Sequence, residues 1–175
     1  MKMPARPDIA RLYDEHAQAL FAFLLNLIRD AADTRDLLQE IFVKIARDEK
    51  LLIGVREERA FLIRLAHNAA IDLMRRRGTR ERTKENFAAE IISPFAPTND
   101  PDEKIFREEL AAALADLPEE QRAVAHLKLW SGLTFEEIAA ALEIPPNTAA
   151  SRYRYALDKM RDRLRPLYEE MKQAE

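Results

Sequence analysis

Apolar residues recur along most of this chain at steps of three and four, the spacing that turns one face of an α-helix toward a core. Ile9, Leu12, Tyr13, His16, Leu20, Phe23, Leu24, Leu27 and Ile28 form the first such stripe. Asp8 is placed to cap it, and the helix is expected to end near Arg29. His16 lies within the stripe and reads as a core-edge histidine rather than a ligand. A second helix, opened by Asp33 or Thr34, has Leu37, Leu38, Ile41, Phe42 and Ile45 on one side. Asp36, Gln39, Glu40 and Lys44 lie on the other. Residues 47–56, RDEKLLIGVR, break the period. Gly54 and the charges predict a loop whose Leu51, Leu52 and Ile53 are free to pack down on the core. A third helix is expected over 57–77, burying Phe61, Leu62, Leu65, Ala66, Ala69, Leu73 and Met74. Arg64, Asn68, Asp72 and then Arg75 and Arg76 line another side of it. Gly78 suits the position just past its end.

Residues 79–102 lose the period and hold Pro94, Pro97 and Pro101. They predict a linker, with a short helix near 85–92 and apolar residues at Phe87, Ile91, Ile92 and Phe95. Helical spacing resumes from about Asp102 with Ile105, Phe106, Leu110 and Leu114. Pro118 suits the first turn of a further helix carrying Val124 and Leu127, and Trp130 reads as packing before the Ser131-Gly132 turn.

The most informative stretch is Thr134 to Leu164. Thr134 and Glu137 have the spacing of a capping box, and Phe135, Ile138, Ala139 and Leu142 follow on one face. Pro145 and Pro146 stop that helix, and Asn147 is a candidate cap for the next. Ala149, Tyr153, Ala156, Leu157, Met160 and Leu164 make its apolar stripe. Arg152, Arg154, Lys159, Arg161, Arg163 and Arg165 lie between them. A short helix, a tight turn and a basic helix form a helix-turn-helix, whose second helix can reach base edges in the major groove. Two packed helices with a solvated basic face have the same pattern.

Composition narrows the class. Only 3 glycines among 175 residues and few β-branched runs favour an all-α chain. No apolar run nears the ~18 residues that span a bilayer, and the N-terminus lacks a signal-peptide core. With no cysteine, disulfides, thiolate zinc sites and cysteine nucleophiles are excluded. A cytoplasmic protein is expected. The net charge of −3 looks wrong for a nucleic-acid binder, but its distribution matters more. Residues 148–165 hold six basic and two acidic side chains, and 72–84 hold the same numbers. Residues 106–147 hold three basic and eight acidic. Two basic patches thus sit on an acidic body, which opposes tight non-specific binding. No catalytic cluster is apparent. His67 and His126 lack partners at metal-ligand spacing, and Glu119-Glu120 is explained by a helix start. No enzyme, cofactor or metal site is expected.

Four separated stretches agree on one family. DLLQEIFVKI (36–45), AFLIRLAHNAAIDLMRRR (60–77), LPEEQRAVAHLKLWSGLTFEEIAAALEIP (117–145) and NTAASRYRYALDKMRDRL (147–164) resemble the extracytoplasmic-function group of bacterial sigma factors. The resemblance covers nearly the whole chain, and the first two stretches make it specific, because other helix-turn-helix regulators lack them. It implies two small helical domains joined by a proline-containing linker. Residues 1–78 would be sigma-2-like, 79–102 the linker and 103–175 sigma-4-like. It further implies that Asp36, Gln39 and Glu40 dock on the clamp helices of the β′ subunit of core RNA polymerase, with the β subunit also engaged. Arg64, Asn68, Asp72, Arg75 and Arg76 would lie at the −10 element, with the 47–57 loop holding a flipped base. Thr148, Ser151, Arg152, Arg154 and Tyr155 would face the −35 element. Promoter DNA and an anti-sigma factor are the other implied partners, and no membrane insertion is implied.

The chain also departs from the family. Ala149 and Ala150 follow Thr148 where valine and then a basic residue are usual. Tyr155 stands where arginine is common, and Glu143 and Asn147 where glycine is frequent. Losing a base-contacting cation removes roughly 1–3 kcal/mol of discrimination, so the −35 sequence does not carry over. The expected function is an alternative sigma factor that directs promoter-specific initiation. The competing readings are a stand-alone helix-turn-helix regulator and a sigma-like decoy that sequesters an anti-sigma factor.

Overall fold

The computed structural model describes residues 8–78 and 100–173. The helices are α1 (Ile9–Ile28), α2 (Ala31–Arg47), α3 (Glu58–Gly78), α4 (Pro101–Ala115), α5 (Glu119–Leu129), α6 (Phe135–Leu142) and α7 (Pro146–Gln173), with a 3-10 turn at Glu49–Leu52. There is no strand among the described residues, so the all-α expectation holds. The predicted short helix near 85–92 and the apolar residues of that segment lie outside the described residues. The chain divides into two compact units. The first holds α1 to α3; the second holds α4, α5, α7 and Phe135–Ala139 of α6.

In the first unit each of the three helices packs on the other two. Asp8 caps α1 as predicted, its Oδ1 accepting from the Arg11 N–H at 3.0 Å. Arg29 ends the helix in the left-handed region at φ 61°, its N–H donating to Leu25. This tight turn starts α2 earlier than predicted. Asp30, not Asp33 or Thr34, is the cap, accepting from the Asp33 N–H at 2.9 Å. Thr34 falls in the first turn, fully buried, and its hydroxyl donates to the Asp30 carbonyl at 2.7 Å. Leu12, Phe23, Leu24, Leu27, Ile45 and Leu62 are essentially closed to solvent and form the heart of this unit. Truncating one of these leucines to alanine costs about 2–5 kcal/mol.

The buried side of α3 is rotated from the predicted one. Phe61, Leu62, Ile63, Ala66 and Ala70 are buried, while Leu65, Ala69, Leu73 and Met74 are only half-buried. Alanines one turn apart let α3 approach its neighbours closely, and the bulkier leucines flank that seam. Tyr13 is likewise half-exposed, its ring edge-on to Phe42 at 4.9 Å.

The second unit is built around α5. Arg122, Ala123, Val124, Ala125, His126 and Leu127 are all buried, so the middle of the helix is closed on every side. Pro118 is its cap rather than part of its first turn. Ala113, Leu114, Leu117, Ala125, Ala156 and Met160 cluster, with Leu110, Trp130 and Leu164 packed against them. Trp130 is therefore a packing residue, tilted against the His126 ring at 5.5 Å. The cap predicted for α7 also moves. Pro146, not Asn147, opens the helix, and the Pro145 carbonyl accepts from the N–H groups of Thr148 and Ala149 at 2.9 and 3.1 Å. Proline at the first helical position loses nothing, because its missing N–H would have no partner there. Pro166 lies inside α7, which continues past it to Gln173. No helix of the described residues is long and apolar enough to cross a membrane.

Burial pushes the His126 imidazole down to about 4, so it folds neutral. The unfolded chain takes up that proton near pH 6.5, so folding is opposed as the pH drops from 6.5 toward 4 and is unaffected above that window. The full effect is about 3 kcal/mol. Urea unfolding at pH 7.5 and 5.0 should therefore show a loss of stability that shrinks by about 2 kcal/mol in His126→Leu. An equal loss in both proteins would mean that carboxylates alone set the acid limit.

Candidate nucleic-acid interface

The helix-turn-helix is held by local bonds that its sequence dictates. Thr134 and Glu137 close a reciprocal capping box. The Thr134 Oγ1 accepts from the Glu137 N–H at 3.1 Å, and the Glu137 carboxylate accepts from the Thr134 N–H at 2.7 Å. Lys128 reaches across the preceding turn, its Nζ 3.1 Å from the Leu133 carbonyl and 4.8 Å from the centre of the Phe135 ring. Phe135 in turn meets Tyr153 of α7 at 5.6 Å. Lys128, Phe135 and Tyr153 thus tie the end of α5, the start of α6 and the second turn of α7 together. At the end of α6 Glu143 takes φ 56°, and the Ile144 N–H donates to the Ala139 carbonyl at 3.0 Å. That is the bond of a left-handed helix stop, made here without the glycine that suits it.

The orientation of α7 follows from its alanines. Ala149 and Ala156 are fully buried and Met160 nearly so, which fixes this side as the inner one. Arg154 and Tyr155 are exposed, and Ser151 is half-exposed beside them. Thr148 and Arg152 are half-buried at the flank of the inner face. Leu157, placed in the apolar stripe by its spacing, is instead exposed. The five residues predicted to face the −35 element therefore separate into an outward set and a flanking set.

Charges on α7 are mostly answered within this unit. Arg152 Nη2 is 3.0 Å from Glu120 on α5. Arg161 and Arg165 pair with Asp158 and Asp162 one turn back. Arg163 pairs with Asp116 and with Glu109 of α4, the latter at 3.7 Å. Among the described residues Arg154 meets no carboxylate, and its guanidinium lies 5.5 Å from the centre of the Tyr155 ring. The net basic charge counted along the sequence thus overstates what the helix can offer to phosphates.

In the first unit Asp36, Gln39 and Glu40 are all exposed on one face of α2. Val43, one turn on and 39% exposed, adds an apolar member that the sequence reading omitted. On α3, Asn68, Asp72, Arg75 and Arg76 are exposed and Arg64 is half-exposed, its guanidinium 5.7 Å from the Phe61 ring. Asp72 and Arg75 approach each other at 3.8 Å. The 47–56 loop is more ordered than its composition suggests. Asp48 caps the 3-10 turn by accepting from the Lys50 N–H at 3.2 Å, and Gly54 turns the chain at φ 79°. Leu51 and Leu52 are half-buried as expected, but Ile53 stands 68% exposed. Nothing in the apolar spacing separates Ile53 from its neighbours.

Glu15, His16 and Glu58 bring three potential ligand atoms within 4.8 Å of one another. A cation is already built in beside them. Arg11 donates to both Glu58 oxygens at 2.8 and 3.0 Å and to Glu15 at 2.8 Å, a tie between α1 and α3. The arrangement needs no metal to balance its charge.

Residues 12–80 match the profile of Sigma-70 region 2, and residues 107–160 that of Sigma-70, region 4. The chain is 36% identical over 161 residues to the ECF RNA polymerase sigma factor SigL of Mycobacterium tuberculosis, covering 89% of this chain and 88% of that protein. It is 29% identical over 165 residues to the ECF RNA polymerase sigma factor SigX of Bacillus subtilis, covering 91% and 85%. In fold it is similar to the sigma factor RpoE of Bartonella quintana, crystallised with the anti-sigma factor NepR. There the TM-score is 0.73 at 22% identity, over 90% of this chain and 97% of that one.

Glycine at 143 would adopt the left-handed geometry without the Cβ strain that costs an ordinary residue about 1 kcal/mol. Glu143→Gly should therefore raise stability by up to about 1 kcal/mol in urea unfolding. A destabilised variant would show that the Glu143 side chain holds the turn by contacts that outweigh its backbone strain.

Proposed function

The chain belongs to the extracytoplasmic-function group of the sigma-70 family, and from that premise we propose how its parts divide the work of promoter recognition. It is an alternative sigma factor, which binds core RNA polymerase and directs transcription initiation. RNA synthesis itself is the polymerase's chemistry, and this chain contributes recognition without catalysis of its own, acting in the cytoplasm. We assign residues 1–78 to core binding and the −10 element, 79–102 to the linker and 103–175 to the −35 element. Asp36, Gln39 and Glu40 form the polymerase-docking face, directed at the clamp helices of β′. A cytosolic anti-sigma protein is the regulatory partner we expect.

The observation that carries the −35 assignment is the outward pairing of Arg154 with Tyr155. With Ala149 and Ala156 packed inward, the outward side of the first turns of α7 presents Ser151, Arg154 and Tyr155. A helix lying in the major groove meets base edges with its outward side and phosphates with its flanks. Thr148 and Arg152 lie at a flank. Tyr155 supplies a rigid apolar ring where the family commonly has arginine, which suits a thymine methyl or a sugar edge rather than a guanine. On α3, Arg64, Asn68, Asp72, Arg75 and Arg76 form the surface for the −10 element. The exposed Ile53 of the neighbouring loop suits an unstacked base.

Four measurements test this division. Run-off transcription should require both this chain and core polymerase, while the isolated chain should bind duplex promoter poorly at physiological salt. Tight, sequence-specific duplex binding without core, and no transcript with it, would identify a stand-alone regulator. Normal core binding with no transcript would identify a decoy. Selection from randomised promoters should then show Asn68→Ala altering the −10 preference alone and Arg154→Ala the −35 preference alone. Glu40→Lys should lower affinity for core by about tenfold or more, the loss of one interface contact of at least ~1.4 kcal/mol. Unchanged core affinity in a folded Glu40→Lys protein would remove α2 as the docking face.

A further inference from the structure

Building on the reading that the outward side of α7 meets duplex, we infer that Glu120 competes with DNA phosphate for Arg152, and so sets the salt dependence with which the −35 unit holds a promoter. The sequence alone places Arg152 among the DNA contacts. In the folded unit its guanidinium instead lies 3.0 Å from the Glu120 carboxylate. The Arg152 side chain is 26% exposed and that of Glu120 62% exposed, so the pair sits at a rim, open to water.

Three features make this a competition rather than a fixed brace. Arg152 stands one turn after the buried Ala149 and one turn before the buried Ala156, on the flank of α7 that faces α5. A flanking side chain is the kind that reaches phosphates when a helix lies in a groove. The ion pair is exposed, so a DNA phosphate, reinforced by its neighbours along the strand, contends in water for the same guanidinium. Glu120 itself is held in place independently, in the first turn of α5, where the helix dipole favours a carboxylate. It therefore stays at the edge of the interface and keeps Arg152 from the phosphates.

The pairing opposes binding, because it takes a cation out of the set that meets phosphates. The other paired arginines of α7 lie further along the helix, so Glu120 is the carboxylate that answers a cation within its first two turns. A −35 unit tuned in this way grips weakly alone, and depends on polymerase to hold it at the promoter.

The test uses holoenzyme reconstituted with core polymerase, and promoter complex formation measured across a salt series. Glu120→Gln keeps the shape and the exposed setting of the side chain while removing its charge. It should steepen the plot of log K against log salt by about one unit, the signature of one added phosphate contact. Arg152→Ala alone should change the slope by less than about half a unit, since Glu120 already withholds that residue. The double variant should match Arg152→Ala. Arg154→Ala, run in parallel, should make the slope shallower by about one unit if the outward side of α7 meets DNA. An unchanged slope in Glu120→Gln with a shallower one in Arg154→Ala would overturn the competition alone. Equal steepening by Glu120→Gln with alanine at 152 would also overturn it, because the carboxylate would then act on DNA directly. An unchanged slope in Arg154→Ala would overturn the placement of α7, and the inference with it.

Discussion

The closed packing of α5 against α7 is the constraint on which the second unit of this protein depends. Ala123, Val124, Ala125 and Leu127 have no exposed surface, and neither do Ala149 and Ala156 on α7. Small residues on both sides let the two backbones come close, and a close-packed seam tolerates little rotation. Once Ala149 and Ala156 face inward, the rest of α7 has no choice of side. Arg154 and Tyr155 point outward, and Arg152 falls on the flank beside Glu120. A larger residue at 149 would not merely destabilise the unit. It would turn or displace the helix and so move every side chain on its outward side. The alanine that departs from the family's usual valine is therefore also part of what sets the aim of α7.

The same seam explains why charge along the sequence is a poor guide to charge at the surface. Six basic residues follow one another between positions 152 and 165 of α7, yet four have carboxylates within ion-pair distance. Those pairs are exposed, and each contributes little to stability. Their effect is on availability. They leave the helix less attractive to arbitrary duplex, which suits a subunit that must act only with polymerase. On the proposed assignment, specific recognition then rests on few groups, chiefly the arginine and tyrosine that stand together at positions 154 and 155.

The first unit solves a different problem. On the proposed division it presents three surfaces, the α2 face, the α3 face and the intervening loop, from only three helices. Tight capping does much of this. Asp8 and Asp30 each satisfy a helix start, and the left-handed Arg29 lets α2 begin at once. The α3 seam of Ala66 and Ala70 keeps that helix close to its neighbours. Its polar side and the exposed Ile53 are thereby held on rigid supports rather than on a mobile strand of chain.

Much of this was legible in the sequence, because the signals are local. Helical spacing gave seven helices, and the Thr134–Glu137 box and the Asp8 cap formed as their spacing required. The family motifs carried the function. What the sequence misjudged were choices between neighbours. Asp30 rather than Asp33 caps α2, and Pro146 rather than Asn147 opens α7, because each adjoining turn decides where the chain enters the helix. Ile63 is buried while Leu65 is not, and Ile53 is exposed beside half-buried Leu52, because hydrophobicity does not say which of several apolar residues the packing will admit. The partner of Arg152 could not be found at all. Glu120 lies more than thirty positions away, and only the docking of α5 against α7 brings the two charges together.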